Sequence, residues 1–211
     1  MSRYCEQCGK AKKACICHWI QAIDAKTQLY ILQHPSEVNR AIGTARILSL
    51  SLASCDVLVG EDFSNHEKLN QLLSDNEQEA WLIYPGDDAT PISVLAEQRQ
   101  VQSTNGEKLK PLTLILLDGT WKKAYKMWQL SSNLHSLPTV SLDNVVAGNY
   151  RIRKSPRDSG VSTVEAGFLA LTALEGQHVN FTPLLDTFNQ MIEFQIQQMP
   201  EGVFERNYRG K

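Results

Sequence analysis

The sequence lacks the features that mark membrane proteins, secreted proteins and general nucleic-acid binders. No apolar run approaches the roughly 20 residues that a membrane-spanning helix needs. No apolar segment stands behind residues 1–5, so we expect no secretory signal and a cytoplasmic protein. The formal net charge is −2, and this balance does not indicate a protein that binds nucleic acid through its overall charge.

Cysteine is scarce except at the N-terminus. Four of the five cysteines fall within the first 17 residues in the pattern C-x2-C-x6-C-x-C, namely Cys5, Cys8, Cys15 and Cys17. In a cytoplasmic chain this clustering favours a metal over disulfides, and four thiolates suit tetrahedral zinc. We therefore predict a zinc knuckle in residues 1–20, lying apart from the pocket of the main domain in 21–211. A redox-active or disulfide pair is the alternative, and Cys55 is expected in the core.

The rest of the chain has the composition and patterning of one α/β domain. Its 211 residues are 42% hydrophobic and 21% charged, enough for a single core with a small appendage. Short apolar segments at 28–34, 56–60, 80–84, 112–117 and 137–142 alternate with helical segments, which indicates a mostly parallel sheet. No GxGxxG loop follows the first of these strands, so a dinucleotide-binding Rossmann fold has little support.

Helical periodicity is present in most of the intervals between these strands. We predict helices at 39–54, before 79, at 122–128, at 162–176, and from a cap at Thr182 with Pro183 in the first position. The polar segment 97–111, which contains Asn105-Gly106, is interpreted as a surface loop.

Residues 112–128, LTLILLDGTWKKAYKMW, are the most informative stretch. An uncharged strand ends at Asp118, and a helix follows from about Lys122. Ligands of open α/β sheets bind just beyond the carboxyl ends of the strands, which is where Asp118 lies. Asp118 is therefore a candidate for chemistry, although a helix cap with Gly119 easing the turn explains the same residues.

Two further segments carry polar side chains at predicted strand or helix ends. His34-Pro35-Ser36-Glu37 follows the first strand, where His34 either faces a substrate or is held in structural hydrogen bonds. Ser162 and Glu165 fit the S-x-x-E capping box, and the free N–H groups of such a helix start are able to hold an anion. We expect three loops to line one pocket: 84–88, 117–121 and 150–163.

Together these motifs resemble those of the DTW-domain family, the tRNA-uridine aminocarboxypropyltransferases. The resemblance rests on Asp118-Gly119-Thr120-Trp121, on the HPxE segment at 34–37 and on a Tyr-x-x-Arg…Ser-Thr-x-Glu-Ala pattern within 150–166, and it covers most of the chain. It implies a SPOUT-like domain with a C-terminal trefoil knot, a feature that residue spacing cannot indicate.

The resemblance also implies a reaction. The 3-amino-3-carboxypropyl group of S-adenosylmethionine would pass to N3 of a uridine in tRNA, with release of methylthioadenosine, and bacterial relatives suggest position 47. Asp118 is expected to accept the N3 proton, with Glu165, His34 or a bound water as alternatives. Arg153 is expected to pair with the donor carboxylate or an RNA phosphate. Trp121 is expected to pack in the interior, with stacking on the target base as the alternative.

These expectations define three sets of site residues. The catalytic set is Asp118, Glu165 and Arg153. The donor-binding set is Tyr84, Pro85, Gly86, Leu117, Asp118, Gly119, Thr120, Trp121, Tyr150, Ile152, Arg153, Ser155, Ser162, Thr163 and Glu165. The RNA-facing set is Lys12, Lys13, His34, Arg40, Lys122, Lys123, Arg151, Lys154 and Arg157.

Two other functions fit parts of this pattern. A methyltransferase on the same fold would use the same donor but release S-adenosylhomocysteine. A zinc-knuckle RNA-binding protein without enzymatic activity would have no pocket for S-adenosylmethionine. Product analysis separates the first from the transferase, and calorimetry with S-adenosylmethionine separates the second.

Overall fold

A parallel sheet forms the centre of the protein. The computed structural model describes residues 2–142 and 161–200. The sheet in these ranges has six strands: β1 (Gln28–Gln33), β2 (Cys55–Val59), β3 (Glu79–Ile83), β4 (Thr90–Pro91), β5 (Leu112–Asp118) and β6 (Thr139–Ser141). Their order is β2-β1-β5-β3-β6-β4, and every pairing among them is parallel. The predicted α/β fold with a mostly parallel sheet is confirmed; of the six strands, β4 is the one that the sequence pattern did not indicate.

Helices cover both faces of this sheet. In the described ranges they are α1 (Ala45–Ser51), α2 (Glu67–Ser74), α3 (Ile92–Thr104), α4 (Trp121–Leu130), α5 (Thr163–Glu175) and α6 (Thr182–Gln197). Short 3-10 turns lie at Lys12–Ala14, Pro35–Glu37 and Ser132–Leu134. Among the described helices, none combines the length and apolarity that crossing a membrane requires.

Alternating side chains along the strands build a core on each face of the sheet. In β5, Leu114 and Leu116 join the larger core, which α1, α5 and α6 cover, whereas Ile115 joins a smaller core beneath α2 and α4. Helix α5 packs closely on α1 because Gly167 has no side chain: a Cβ there would lie 2.8 Å from Cδ2 of Leu48. The start of α5 thereby lies at the carboxyl edge of the sheet, beside the end of β5.

One predicted helix has different bounds in the structure, and one helix of the structure was not predicted. The helix predicted at 39–54 begins only at Ala45, because the chain after His34 first makes a 3-10 turn and a loop. The segment 97–111 is not entirely a loop, since α3 continues to Thr104 before the chain turns at Gly106 with φ of 77°. Glutamate, glutamine and arginine are good helix formers, so the polarity of this segment is a poor guide to its conformation.

The N-terminal segment packs against the main core. Cys8 and Ile16 are buried in the larger core. Nζ of Lys10 donates hydrogen bonds to the carbonyl oxygens of Ala41, at 2.7 Å, and Gly43, at 3.1 Å. These bonds attach the knuckle to the loop that precedes α1.

Candidate active site and metal centre

Asp118 lies at the end of β5 with both carboxylate oxygens in hydrogen bonds. Its Oδ2 accepts from Nε2 of Gln33 on the neighbouring β1 at 2.7 Å, and its Oδ1 accepts from Oγ1 of Thr163 at the start of α5. The side chain is 7% exposed. Because a carboxylate has about four lone-pair sites, this Asp118 cluster (Gln33, Asp118 and Thr163) leaves lone pairs for a substrate.

The capping box predicted at the start of α5 is present. Oγ of Ser162 accepts from the N–H of Glu165 at 3.5 Å, and Oε2 of Glu165 accepts from the N–H of Ser162 at 2.7 Å and from its hydroxyl at 2.6 Å. The N–H of Val164 donates to Oγ1 of Thr44 at 3.3 Å. An anion bound here would therefore compete with Glu165, whose buried carboxylate already lies at this helix start.

Replacing the capping residue should measure its structural role. Ser162→Ala is expected to lower the free energy of unfolding by about 1 kcal/mol, because the N–H of Glu165 loses its acceptor. Denaturant unfolding monitored by circular dichroism would measure this loss. Calorimetry of the folded variant with S-adenosylmethionine would test the second role, since a fall in affinity would show that the same helix start also seats the donor carboxylate.

The predicted donor-binding residues divide between the two faces of the sheet. The Asp118 cluster and the capping box lie on the face covered by α1 and α5. Tyr84 and Leu117 pack against the smaller core on the opposite face. The exposed loop residues at this edge include Pro85, Gly86 and Thr120, while Gly119 is partly buried. Other predicted residues lie outside the described ranges: Tyr150, Arg151, Ile152, Arg153, Lys154, Ser155 and Arg157.

His34 is buried, and both of its ring nitrogens are engaged. Nδ1 accepts from the N–H of Ser36 at 3.1 Å, and Nε2 lies 2.8 Å from Oε1 of Glu61. Since Nδ1 acts as an acceptor, the neutral ring carries its proton on Nε2. In this arrangement His34 has no ring nitrogen available to take a proton from a substrate. The backbone N–H of His34 donates to the carbonyl oxygen of Asp118 at 3.0 Å.

Lysines of α4 form ion pairs with acidic residues at the same edge. Nζ of Lys123 lies 2.7 Å from Oε1 of Glu37, which also pairs with Arg40 at 3.1 Å. Nζ of Lys126 lies 2.5 Å from Oε2 of Glu61, and its hydrogen bond is the main cause that lowers the pKa of Glu61. The exposed members of the predicted RNA-facing set within the described ranges are Lys12, Lys13, Arg40 and Lys122.

Trp121 is not packed in the interior, so the prediction of interior packing is wrong. The side chain is 52% exposed at the first position of α4. Tyr125, one turn further, is 50% exposed, and its ring stacks on that of Trp128. The sequence analysis did not single out Tyr125 or Trp128. Their spacing at i+4 and i+7 from Trp121 is the signal that places all three on one side of a helix.

The four N-terminal cysteines converge on one point. Their sulfur atoms all lie within 4.8 Å of one another. Sγ of Cys5 is 3.7 Å from that of Cys17, and Sγ of Cys8 is 3.8 Å from that of Cys15. Zinc–sulfur bonds of about 2.3 Å in a tetrahedron place the sulfur atoms roughly 3.8 Å apart. The cluster is therefore able to hold a metal ion, and its donor set and spacing fit tetrahedral coordination by four thiolates.

The thiols of this cluster differ in their tendency to ionise. Hydrogen bonds from backbone N–H groups, that of Cys8 first, lower the pKa of Cys5 to about 6, whereas burial raises the pKa of Cys17. Burial also raises the pKa of the separate Cys55 to about 12. Cys55, predicted to lie in the core, is partly buried and packs against the larger core. Neighbouring thiolates repel one another, and a bound dication offsets this repulsion.

A cavity of about 290 Å³ lies between the knuckle and the main domain. The knuckle contributes Cys8 and Lys10 to its lining, and the main domain contributes Arg46 and Gln33. Gln33 is also the residue that donates to Asp118. The knuckle and Gln33 thus line one cavity, but its lining includes no residue of the predicted pocket loops 84–88 and 117–121. That the knuckle lies apart from the donor pocket therefore stays a prediction.

The described chain is therefore a parallel α/β domain with a buried carboxylate at the carboxyl edge of its sheet and a four-thiol centre in its N-terminal segment. A family model of the DTW domain matches residues 2–196. The chain belongs to the DTW-domain family, which confirms the family predicted from the motifs.

Three curated relatives carry the same name. The chain is 29% identical over 208 residues to tRNA-uridine aminocarboxypropyltransferase 2 of Mus musculus, covering 97% of this chain and 67% of the relative. The chain is 28% identical to the Macaca fascicularis protein of the same name, covering 92% of this chain and 63% of the relative. It is 31% identical to the Drosophila melanogaster protein of that name, covering 91% of this chain and 74% of the relative. The chain thus spans about two thirds of the length of the two mammalian relatives. The comparison with solved structures gave no significant match.

Proposed function

We propose that this protein transfers the 3-amino-3-carboxypropyl group from S-adenosylmethionine to N3 of a uridine in tRNA. The family and the names of the relatives support this activity. The observation that carries it is Asp118, which is nearly buried at the carboxyl end of β5 and opens the Asp-Gly-Thr-Trp motif. A carboxylate so placed has the chemistry and the position of a base for a weakly acidic N–H.

The reaction needs few groups from the protein. Asp118 accepts the proton from N3, and the N3 lone pair then attacks the aminocarboxypropyl carbon next to the sulfonium. The bond between that carbon and sulfur breaks, and its electron pair leaves with sulfur as neutral methylthioadenosine. Alignment selects the transferred group, since the carbon nearest N3 and in line with its leaving sulfur reacts.

The hydrogen bonds around Asp118 support this role by fixing the direction of its carboxylate. Gln33 belongs to β1 and Thr163 to α5, so the carboxylate is held between two separate elements. This arrangement orients a base without using all of its lone pairs. Arg153 and the donor contacts predicted at 150–155 remain part of the proposal.

We also propose that the four-thiol centre binds zinc in a structural role, and that the domain is SPOUT-like with a C-terminal trefoil knot in a cytoplasmic protein. The sulfur spacing supports zinc. The parallel sheet is compatible with the SPOUT-like fold.

Mass spectrometry of nucleosides from tRNA incubated with the protein and S-adenosylmethionine tests this function. We expect a uridine carrying the aminocarboxypropyl group, with an equal amount of methylthioadenosine. Digestion to oligonucleotides would show whether position 47 carries it. Methylated uridine with S-adenosylhomocysteine would identify the methyltransferase instead. No binding of S-adenosylmethionine in calorimetry, with tRNA still bound, would indicate the non-enzymatic RNA-binding alternative.

A further inference from the structure

We propose that one side of α4 is a platform on which unpaired bases of the RNA stack next to the target uridine. The platform consists of Trp121, Tyr125 and Trp128, with Tyr84 behind them, and we call it the aromatic face. This inference rests on the proposed function, because it describes how the same site holds its RNA substrate.

The exposed part of the aromatic face lies away from the side of α4 that packs in the core. At about 100° per residue, Trp121, Tyr125 and Trp128 fall within an arc of roughly 60°. The side chains of α4 that are fully buried are those of Ala124 and Met127, on another side of the helix. Trp128 also packs partly against the smaller core, so Trp121 and Tyr125 are the aromatic residues that the packing of α4 does not explain.

Tyr125 is held in place by its neighbours while half of its surface remains in water, and Trp121 beside it is exposed. Trp121 is 52% exposed and Tyr125 is 50% exposed. The ring of Trp128 stacks on Tyr125, at 6.2 Å and 26°, and on Tyr84, at 5.7 Å and 15°. Nε2 of Gln129 donates to the hydroxyl of Tyr125 at 2.8 Å, which restrains that ring further. Exposed, pre-oriented aromatic rings are what nucleobases stack on in proteins that bind single strands.

The charge of α4 identifies RNA as the occupant. The helix carries Lys122, Lys123 and Lys126 and no acidic residue. Lys123 and Lys126 pair with Glu37 and Glu61, while Lys122 is exposed. A phosphate backbone complements the exposed Lys122. A second copy of the chain, packed through the same face, would bring like charges together.

The aromatic face also begins where the uridine is expected. Trp121 follows Asp118 by three residues, so α4 starts at the edge of the sheet that holds the Asp118 cluster. From Trp121 to Trp128 the helix rises about 10 Å, the length of roughly three stacked nucleotides. A strand that leaves a uridine at Asp118 and crosses the edge of the sheet from the α5 face to the α4 face therefore meets Trp121 first and Tyr125 next.

Binding of a fluorescein-labelled hexauridylate to the full-length protein, followed by anisotropy, tests this platform without requiring turnover. Tyr125→Leu keeps an apolar side chain but removes the aromatic ring, so the Kd should rise about 5- to 100-fold. Tyr125→Phe should stay within about twofold of the wild type, because the ring remains. Leu130→Ala removes a 43%-exposed apolar side chain from the other side of α4, and this control should bind as the wild type does.

Equal hexauridylate affinity for Tyr125→Leu and the wild type would overturn the platform. So would sedimentation showing a wild-type dimer that Tyr125→Leu dissociates without a change in hexauridylate binding. Transfer is scored separately on tRNA. If the wild type forms no modified uridine but Tyr125→Leu still weakens hexauridylate binding, the proposed function alone is contradicted. If the wild type modifies tRNA but Tyr125→Leu does not weaken hexauridylate binding, the platform alone is contradicted.

Discussion

Asp118→Asn is expected to lower turnover of the uridine transfer by about 10²- to 10⁴-fold, since the amide cannot accept the N3 proton at neutral pH. The surroundings make this substitution a clean test. Thr163 can still donate to the remaining oxygen, and Gln33 can rotate its amide so that its own oxygen accepts from the new NH₂ group. Single-turnover rates measure the chemical step, while thermal unfolding and calorimetry with S-adenosylmethionine show that the fold and donor binding persist.

Two controls separate the base from its supports. Thr163→Val removes one hydrogen bond to Asp118 but keeps the carboxylate, so its loss of rate should be roughly tenfold or less. Raising the pH should partly restore Asp118→Asn, because more of the uridine then ionises unaided. Near-normal turnover of Asp118→Asn would refute the base assignment. Outright loss of donor binding would make Asp118 a donor contact, and Glu165 or a bound water would then be examined as the base.

Local patterns in the sequence predict the parts of this site that local physics determines. The uncharged run that ends in Asp118 is a strand buried on both faces, as a parallel sheet requires. The Ser162 and Glu165 spacing gives the capping box because the bonds involved span three residues. The cysteine spacing similarly predicts the four-thiol centre, since all four ligands come from one short segment.

The remaining features of the site depend on contacts between distant segments. Gln33 reaches Asp118 only because β1 and β5 are adjacent and pair Gln33 with Asp118. The spacing of residues along the sequence does not indicate which strands pair or in which register. Side chains alternate along β3 and into Tyr84, so Tyr84 packs beneath α4 and not beside Asp118. Its position at a strand end does not show which face of the sheet its side chain joins. Trp121 is exposed because α4 packs Ala124 and Met127 into the core. The aromatic residues of this helix alone would predict the wrong side as the buried one.

Loss of the N-terminal metal centre is expected to affect the whole domain, because Cys8 is 3% exposed within the larger core. Cys8→Ser should abolish the predicted content of one zinc per chain. A structural zinc contributes several kcal/mol, so the Tm should fall by roughly 10 °C or more. Cys55→Ser is the matched control, since Cys55 lies outside the four-thiol cluster and its variant should retain the metal. Elemental analysis and thermal unfolding measure the two quantities.

The knuckle's contacts predict where the effect of metal removal spreads. Lys10 bonds the loop before α1, and the knuckle and Gln33 line one cavity, so chelation should speed hydrogen exchange in residues 2–18 and in 37–46. Binding of tRNA should weaken more than binding of S-adenosylmethionine, because the exposed Lys12 and Lys13 lie on the knuckle. A purified wild-type protein without metal and with all four thiols free would remove the zinc proposal. Faster exchange confined to residues 2–18 would show instead that the knuckle folds independently of the main domain.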